Sequence, residues 1–192
     1  MGAGMQDAPA AYFVAADGVG PTEARRFASH LGAMREPSLA GPDAPRGVRF
    51  LWLRARHNPL TVRAALDEGP FGTLHVKRAS GWGGHPPKAT PTLRLALAGV
   101  PAGQAPCRLA ADPPRALSRR EGDAIARMAG RLSGLPPPGG AVIDGSDWLF
   151  EVVLGARRVF VRRSPAAGPH RDLGLLMLDL AGFEPTEDDP LC

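Results

Sequence analysis

The sequence predicts an α+β fold, with an antiparallel sheet of about six strands and two helices packed on one of its faces. Three observations lead to this prediction. Short apolar segments with the alternation of β-strands follow one another through short connections. A two-residue loop joins two further segments of this kind into a hairpin. Two other segments repeat apolar residues with the spacing of amphipathic helices.

Three of the predicted strands form a meander. Val48 to Arg56 has large apolar residues on both faces, so we expect this strand to be central and buried on both sides. His57-Asn58-Pro59 turns the chain into a strand over Leu60 to Leu66. Asp67 to Pro70 then turns it into a strand over Phe71 to Arg78. Because these connections are short, the neighbouring strands are expected to be antiparallel.

The hairpin around Gly155-Ala156 is the most sharply patterned part of the chain. Glycine at the first position of a two-residue loop suits a type II′ turn, which fixes the register of the flanking strands. In that register one face is apolar, and the other carries Glu151 with Arg158 and Arg162 on its two diagonals. We expect this arginine-rich strand face to be exposed to solvent, with ion pairs at its surface.

The two helices are predicted from their ends as well as from their periodicity. Ser118 and Glu121 have the spacing of a capping box, in which each side chain accepts a hydrogen bond from the other residue's backbone N–H. The apolar stripe that follows consists of Ile125, Met128, Ala129 and Leu132. The second helix follows Pro169, and its main stripe consists of Leu173, Leu176, Met177 and Leu180. Its broad apolar face indicates that it lies across the sheet.

We divide the chain into an N-terminal extension over residues 1–46, an α+β domain over residues 47–183 and an acidic tail over residues 184–192. The extension is partly loop, with a helix capped by Thr22. Whether it docks on the domain or stays mobile is left open. A further strand is predicted over Thr92 to Ala98.

The composition is that of an ordinary globular protein, with 44% apolar and 22% charged residues. Basic residues exceed acidic ones by 23 − 19 = 4, and Lys77 and Lys88 are the lysines among them. Arginine favours bidentate contact with carboxylates and phosphates, although a GC-rich coding bias also explains its abundance here. The charge permits a nucleic-acid partner without favouring one.

Several classes of protein are disfavoured. Two cysteines are too few for a disulfide scaffold. No apolar run reaches the roughly 18 residues of a membrane span, so no membrane partner is expected. No basic residue precedes the N-terminal apolar run, which makes it a poor signal peptide. We therefore expect a cytoplasmic protein.

Four segments carry a resemblance: RFLWLRARHNPLTVR, the Trp148-x-x-Glu151 hairpin, Ser164-Pro165, and the helix LGLLMLDLAG. Together they resemble a family of uncharacterised bacterial proteins. Members of that family share a strand ending in Trp-Ser-Pro and a helix ending in Leu-Ala-Gly. This chain departs from the pattern, since Arg163 stands where the tryptophan would be. The resemblance implies no activity.

Residues with chemical potential are scattered. The histidines have no second ligand at metal spacing, and we expect neither a metal site nor a cofactor. The best local cluster is the loop over residues 77–88, where Lys77, Trp82 and His85 combine a cation, a stacking ring and an imidazole. Such a set suits a phosphate, a carboxylate or a nucleobase, although a plain surface loop is the simpler interpretation.

We therefore predict a non-catalytic binding or interaction protein that uses its arginine-rich strand face, with an unknown protein or an anionic ligand as partner. The ligand-binding candidates are Glu151, Arg158, Arg162, Lys77, Trp82 and His85. The alternative is a small hydrolase with Glu151 or His85 as its acid–base group.

Overall fold

A computed structural model describes residues 12–14, 17–41, 43–53, 58–80, 108–132, 134–135, 146–164 and 167–183. These residues form three helices and seven strands. In chain order they are α1 (Pro21–Ala33), β1 (Gly47–Leu53), β2 (Leu60–Ala65), β3 (Thr73–Ser80), β4 (Arg108–Ala111), β5 (Arg115–Ala116), α2 (Arg119–Leu132), β6 (Asp147–Leu154), β7 (Arg157–Arg163) and α3 (Pro169–Leu180).

The strands form one antiparallel sheet in the order β4-β3-β2-β1-β6-β7, with β5 also pairing with β3. The predicted α+β class with an antiparallel sheet is confirmed. Strand β1 is central and every residue of it is buried, as its two-sided apolar pattern predicted. The strand predicted over residues 92–98 lies outside the described residues.

The hairpin has the predicted register, with Leu154 opposite Arg157 and Trp148 opposite Arg163. Gly155 has a φ of +63°, whereas the φ of Ala156 is not positive. This combination is the one that a type II′ turn requires, and it favours glycine at the first loop position. The local sequence therefore determines this part of the fold.

One face of the sheet carries the larger apolar core, which α2 and α3 cover as predicted. Its centre is aromatic: the rings of Phe50 and Phe150 stack with centroids 4.9 Å apart, and the ring of Trp148 meets that of Phe50 edge-on at 5.1 Å. Gly174 lets α3 approach the sheet closely, because a Cβ at this position would lie 2.0 Å from the Trp148 ring. This contact fixes where α3 crosses the sheet.

The other face of the sheet is also covered, by α1 and the segment that follows it. Phe27, Leu31 and Met34 are buried in a second apolar cluster that includes Leu51 and Leu149 of the sheet. The helix predicted in the N-terminal extension is thus present, and it docks. It begins at Pro21, which is well suited to a first helical turn, and its N-cap is Gly20 instead of the predicted Thr22. Within the described ranges, no helix is long and apolar enough to cross a membrane.

Candidate functional site

The arginine-rich strand face lies beneath this second cover. Glu151 is only 3% exposed, and the side chains of Arg158 and Arg162 are 16% and 14% exposed. The expectation of a solvent-exposed face was therefore wrong. The alternation of a strand assigns each side chain to a face, but it does not tell what packs on that face. Here the cover comes from α1, more than a hundred residues earlier in the chain.

Both carboxylate oxygens of Glu151 are held by guanidinium groups. Arg49 lies directly opposite on β1, and its Nε donates to Oε2 of Glu151 at 2.7 Å while its Nη2 also contacts that oxygen. Arg158 Nη2 donates to the other oxygen, Oε1, at 3.0 Å. A carboxylate held in this way has no oxygen directed at solvent or at a ligand. The arrangement favours a structural role over acid–base chemistry.

Arg158 links the sheet to the N-terminal cover. Its guanidinium pairs with Asp17 and donates to the backbone oxygens of Leu39 at 2.7 Å and of Tyr12 at 3.2 Å. Burial alone would lower the pKa of Arg158, but the hydrogen bonds and charges of Asp17 and Glu151 hold it above its ordinary value. Arg158 is therefore a fully paired cation.

Arg162 makes a second link of the same kind. Its Nε donates to Oδ1 of Asp147 at 2.9 Å, and its Nη1 pairs with Glu23 of α1. Arg26 of α1 donates to the other oxygen of Asp147 at 3.1 Å. Burial again opposes the charge, yet these carboxylates raise the pKa of Arg162 above its ordinary value.

Lys77 belongs to a third cluster, centred on the buried Glu36. Lys77 Nζ lies 2.8 Å from Oε1 of Glu36, and Arg63 Nε lies 3.5 Å from Oε2. Arg78, the next residue on β3, points to the opposite face and pairs with Asp112 at 2.6 Å. Lys77 and Arg78, the first two residues of the predicted 77–88 cluster, therefore lie on opposite faces of the sheet.

The structure brings four of the predicted residues to one face of the sheet: Glu151, Arg158, Arg162 and Lys77. Trp82 and His85 lie outside the described residues. The partners that sequence reasoning missed are Arg49, Arg63, Asp17, Glu23, Glu36 and Asp147. One signal was readable: an arginine interrupts each of the apolar strands VRFLWL and LTVRAA, and a buried arginine needs a carboxylate.

Across this face the charges balance. Six cations, Arg26, Arg49, Arg63, Lys77, Arg158 and Arg162, meet six carboxylates, Asp17, Glu23, Glu36, Glu68, Asp147 and Glu151. Their net charge is 6 − 6 = 0, so the face has little attraction for a further anion. In the part of the chain that the structure describes, no group of three His, Cys, Asp or Glu side chains could hold a metal ion.

Unpaired basic charge is found instead on the outward face of α2. Arg120, Arg127 and Arg131 are exposed, and no carboxylate of the described residues pairs with them. Positions i, i+7 and i+11 fall within about 40° of one another around a helix with 3.6 residues per turn. The three arginines therefore form one line, which we call the α2 arginine line.

A cleft of about 150 Å³ opens beside this line, between α2 and the turn that joins β2 to β3. Its lining residues are Arg46, Leu66, Pro70, Phe71, Arg119, Gly122, Asp123 and Ala126. The cleft is separate from the buried ion pairs, which lie on the other side of the sheet.

Comparison of the chain with protein-family models, with curated proteins and with solved structures found no match. No family is therefore shown, and the resemblance to a bacterial family stays a prediction.

Proposed function

We propose that the protein is a non-catalytic binding protein that recognises an acidic protein surface through the α2 arginine line. The observation that carries this proposal is the contrast between two sets of arginines. The cations of the covered face are neutralised by carboxylates, whereas Arg120, Arg127 and Arg131 are exposed without such partners among the described residues. In this proposal Arg158 and Arg162 stabilise the fold.

The geometry of the line suits a row of carboxylates. Arg120 and Arg131 are eleven residues apart, a rise of about 16 Å along a helix. Each guanidinium is free to take a carboxylate in bidentate fashion, which lysine cannot do. Arginine is also enriched in the centres of protein interfaces. A helix or strand with acidic residues at matching intervals would engage all three arginines.

A protein partner fits the charge better than a nucleic acid does. The whole chain carries a net charge of only +4, and one line of three arginines allows few phosphate contacts. The exposed residues of α2 itself include no aromatic ring on which a base could stack. The cytoplasmic location that the sequence predicts is part of this proposal. The hydrolase alternative loses its support at Glu151, whose oxygens are both occupied.

The test is the binding of a fluorescently labelled oligoglutamate peptide, measured by anisotropy at about 50 and about 200 mM salt. The double variant Arg120→Gln/Arg127→Gln should bind roughly five- to tenfold more weakly at the lower salt, since each exposed ion pair contributes up to about 1 kcal/mol. The matched control Arg25→Gln/Arg157→Gln removes two other exposed arginines, and it should change binding by less than about twofold.

Equal losses in the two double variants would mean that only net charge matters, and the proposal would fail. A labelled single-stranded DNA of similar charge tests the competing class of partner. Tighter binding of the DNA, with the same dependence on Arg120 and Arg127 and a steeper loss with salt, would overturn the acidic-protein proposal in favour of nucleic acid.

A further inference from the structure

We propose that the cleft between α2 and the β2–β3 turn is a binding site for a small organic anion with a ring-sized apolar body and one carboxylate. The cleft volume is about 150 Å³. A cavity of that volume accommodates a single benzene ring. The lining combines apolar groups with charged ones, which is the mixture that fixes both the affinity and the orientation of a small ligand.

Phe71 supplies the apolar wall, and its exposure is built into the fold. The residue is 44% exposed, although large apolar residues are usually buried. Gly122 of α2 packs against the Phe71 backbone so closely that a Cβ there would lie 2.5 Å from the Phe71 oxygen. Gly72, which follows Phe71 in the chain, has a φ of +104°, and its carbonyl oxygen accepts a hydrogen bond from the Leu117 N–H at 2.9 Å. The backbone thus holds the ring outside the core.

Arg46 stands at the cleft on an equally fixed backbone. Its carbonyl accepts a hydrogen bond from the Leu66 N–H at 2.8 Å, and its own N–H donates to Oδ2 of Asp67 at 3.1 Å. The Arg46 main chain is therefore tied to the same turn that carries Phe71. A site whose backbone is already in place loses little conformational entropy when a ligand binds.

The charge of the lining selects the charge of the ligand. Arg46 and Arg119 contribute two positive charges and Asp123 one negative charge, which leaves 2 − 1 = +1. Arg119 Nε and Asp123 Oδ2 are 3.7 Å apart, and both side chains are largely exposed, so this ion pair is weak. One carboxylate would neutralise the lining, whereas a second would lack a cation.

This site is independent of the α2 arginine line. The cleft uses Arg119, Gly122, Asp123 and Ala126 on one flank of α2, and the line occupies another. Variants of Arg46 or Phe71 leave the α2 arginine line intact, so the cleft proposal and the proposed function can be tested separately.

The test is a titration of the ¹⁵N-labelled full chain with sodium benzoate, followed by two-dimensional NMR. Saturable shifts should be confined to the amides of residues 46, 66–69, 71–72 and 117–126, with a Kd in the millimolar range that suits so small a ligand. Benzyl alcohol has the ring without the charge, and we expect it to bind at least about fivefold more weakly. Acetate should give no saturable shifts there.

Two variants separate the roles of the ring and the charge. Phe71→Ala should weaken benzoate binding about fivefold or more, whereas Val14→Ala, the matched loss of another exposed apolar group, should not. Arg46→Gln should reduce benzoate binding to the level of benzyl alcohol and leave benzyl alcohol unchanged, and Arg25→Gln should change neither.

The proposal is overturned if benzoate gives no saturable shift in the cleft, if benzyl alcohol binds as tightly, or if Arg46→Gln has no effect. If Phe71→Ala fails to fold, the Arg46 comparison still decides.

A tetrapeptide that ends in phenylalanine, with and without a C-terminal amide, identifies the source of the anion. If the tetrapeptide with a free C-terminal carboxylate binds more tightly than benzoate, the ligand is a chain terminus. If it binds more weakly, the ligand is a free small molecule. Both outcomes support a site for a ring with one carboxylate.

Discussion

Arg49 and Glu151 face each other across the pairing of β1 with β6, both almost fully buried, with Nε and Oε2 2.7 Å apart. They are 102 residues apart in sequence. The pair lies in the middle of the sheet, and through Arg158 and Glu36 it extends to the segment that covers this face. It joins early and late parts of the chain in one charge-balanced network.

Loss of Arg49 should be costly. Arg49→Met leaves the buried Glu151 with one guanidinium instead of two, and we expect the free energy of unfolding in urea to fall by about 3–5 kcal/mol. Arg119→Met breaks the exposed pair with Asp123 and should cost no more than about 1 kcal/mol. Adding Glu151→Gln to Arg49→Met removes the poorly compensated charge and should recover part of the loss. A loss below about 1 kcal/mol for Arg49→Met would contradict the structural role.

The cover formed by α1 should behave as part of the core. Phe27 is fully buried, so Phe27→Ala should lower the free energy of unfolding by about 3–5 kcal/mol. Thr22→Ala, on the exposed side of the same helix, is the control and should change it by less than about 0.5 kcal/mol. Unfolding followed by circular dichroism should remain a single transition. A separate early transition in Phe27→Ala would show that α1 is a detachable appendage.

Replacing each of two helical glycines by alanine should change the stability of the protein in opposite directions. Gly174→Ala places a methyl group on the Trp148 ring, and the overpacking should cost about 1–3 kcal/mol or more. Gly130→Ala adds its methyl group in open space on α2 and should stabilise the protein by about 0.5–1 kcal/mol. Thermal unfolding measures both effects. Stabilisation by Gly174→Ala would mean that α3 does not lie against Trp148.

The capping box of α2 should give a pH-dependent contribution to stability. The Ser118 backbone N–H donates to Glu121 at 2.7 Å, and this bond lowers the pKa of the Glu121 carboxyl, with Arg115 assisting. A carboxyl whose pKa is lowered by folding stabilises the protein fully above its unfolded pKa of about 4.3. That contribution is lost as the pH falls through the folded pKa.

The advantage of the unmodified protein over Glu121→Gln in urea unfolding should therefore shrink below about pH 4. Ser118→Ala removes the hydroxyl that accepts from the Glu121 N–H at 3.3 Å and should cost about 0.5–2 kcal/mol. A stability difference that stays constant between about pH 3 and about pH 7 would disprove the contribution of the Glu121 carboxylate.

The sequence by itself determined the parts of this fold that depend on near neighbours. The register of the Gly155 hairpin, the capping box at Ser118 and the two-sided burial of β1 all follow from turn geometry, side-chain acceptors and alternation within a few residues. These rules involve only residues within one turn or one strand, so the structure that they produce can be predicted from the local sequence.

Only the tertiary structure decided what covers the second face and where each charge finds its partner. Alternation placed Glu151, Arg158 and Arg162 on one face, but α1 turned that face from an expected surface into a buried network. The pairing of Arg49 with Glu151 requires β6 to lie beside β1, and no local rule selects that neighbour over another strand. Burial then converts the arginines from a binding surface into structural cations, because a charge removed from water must be neutralised within the fold.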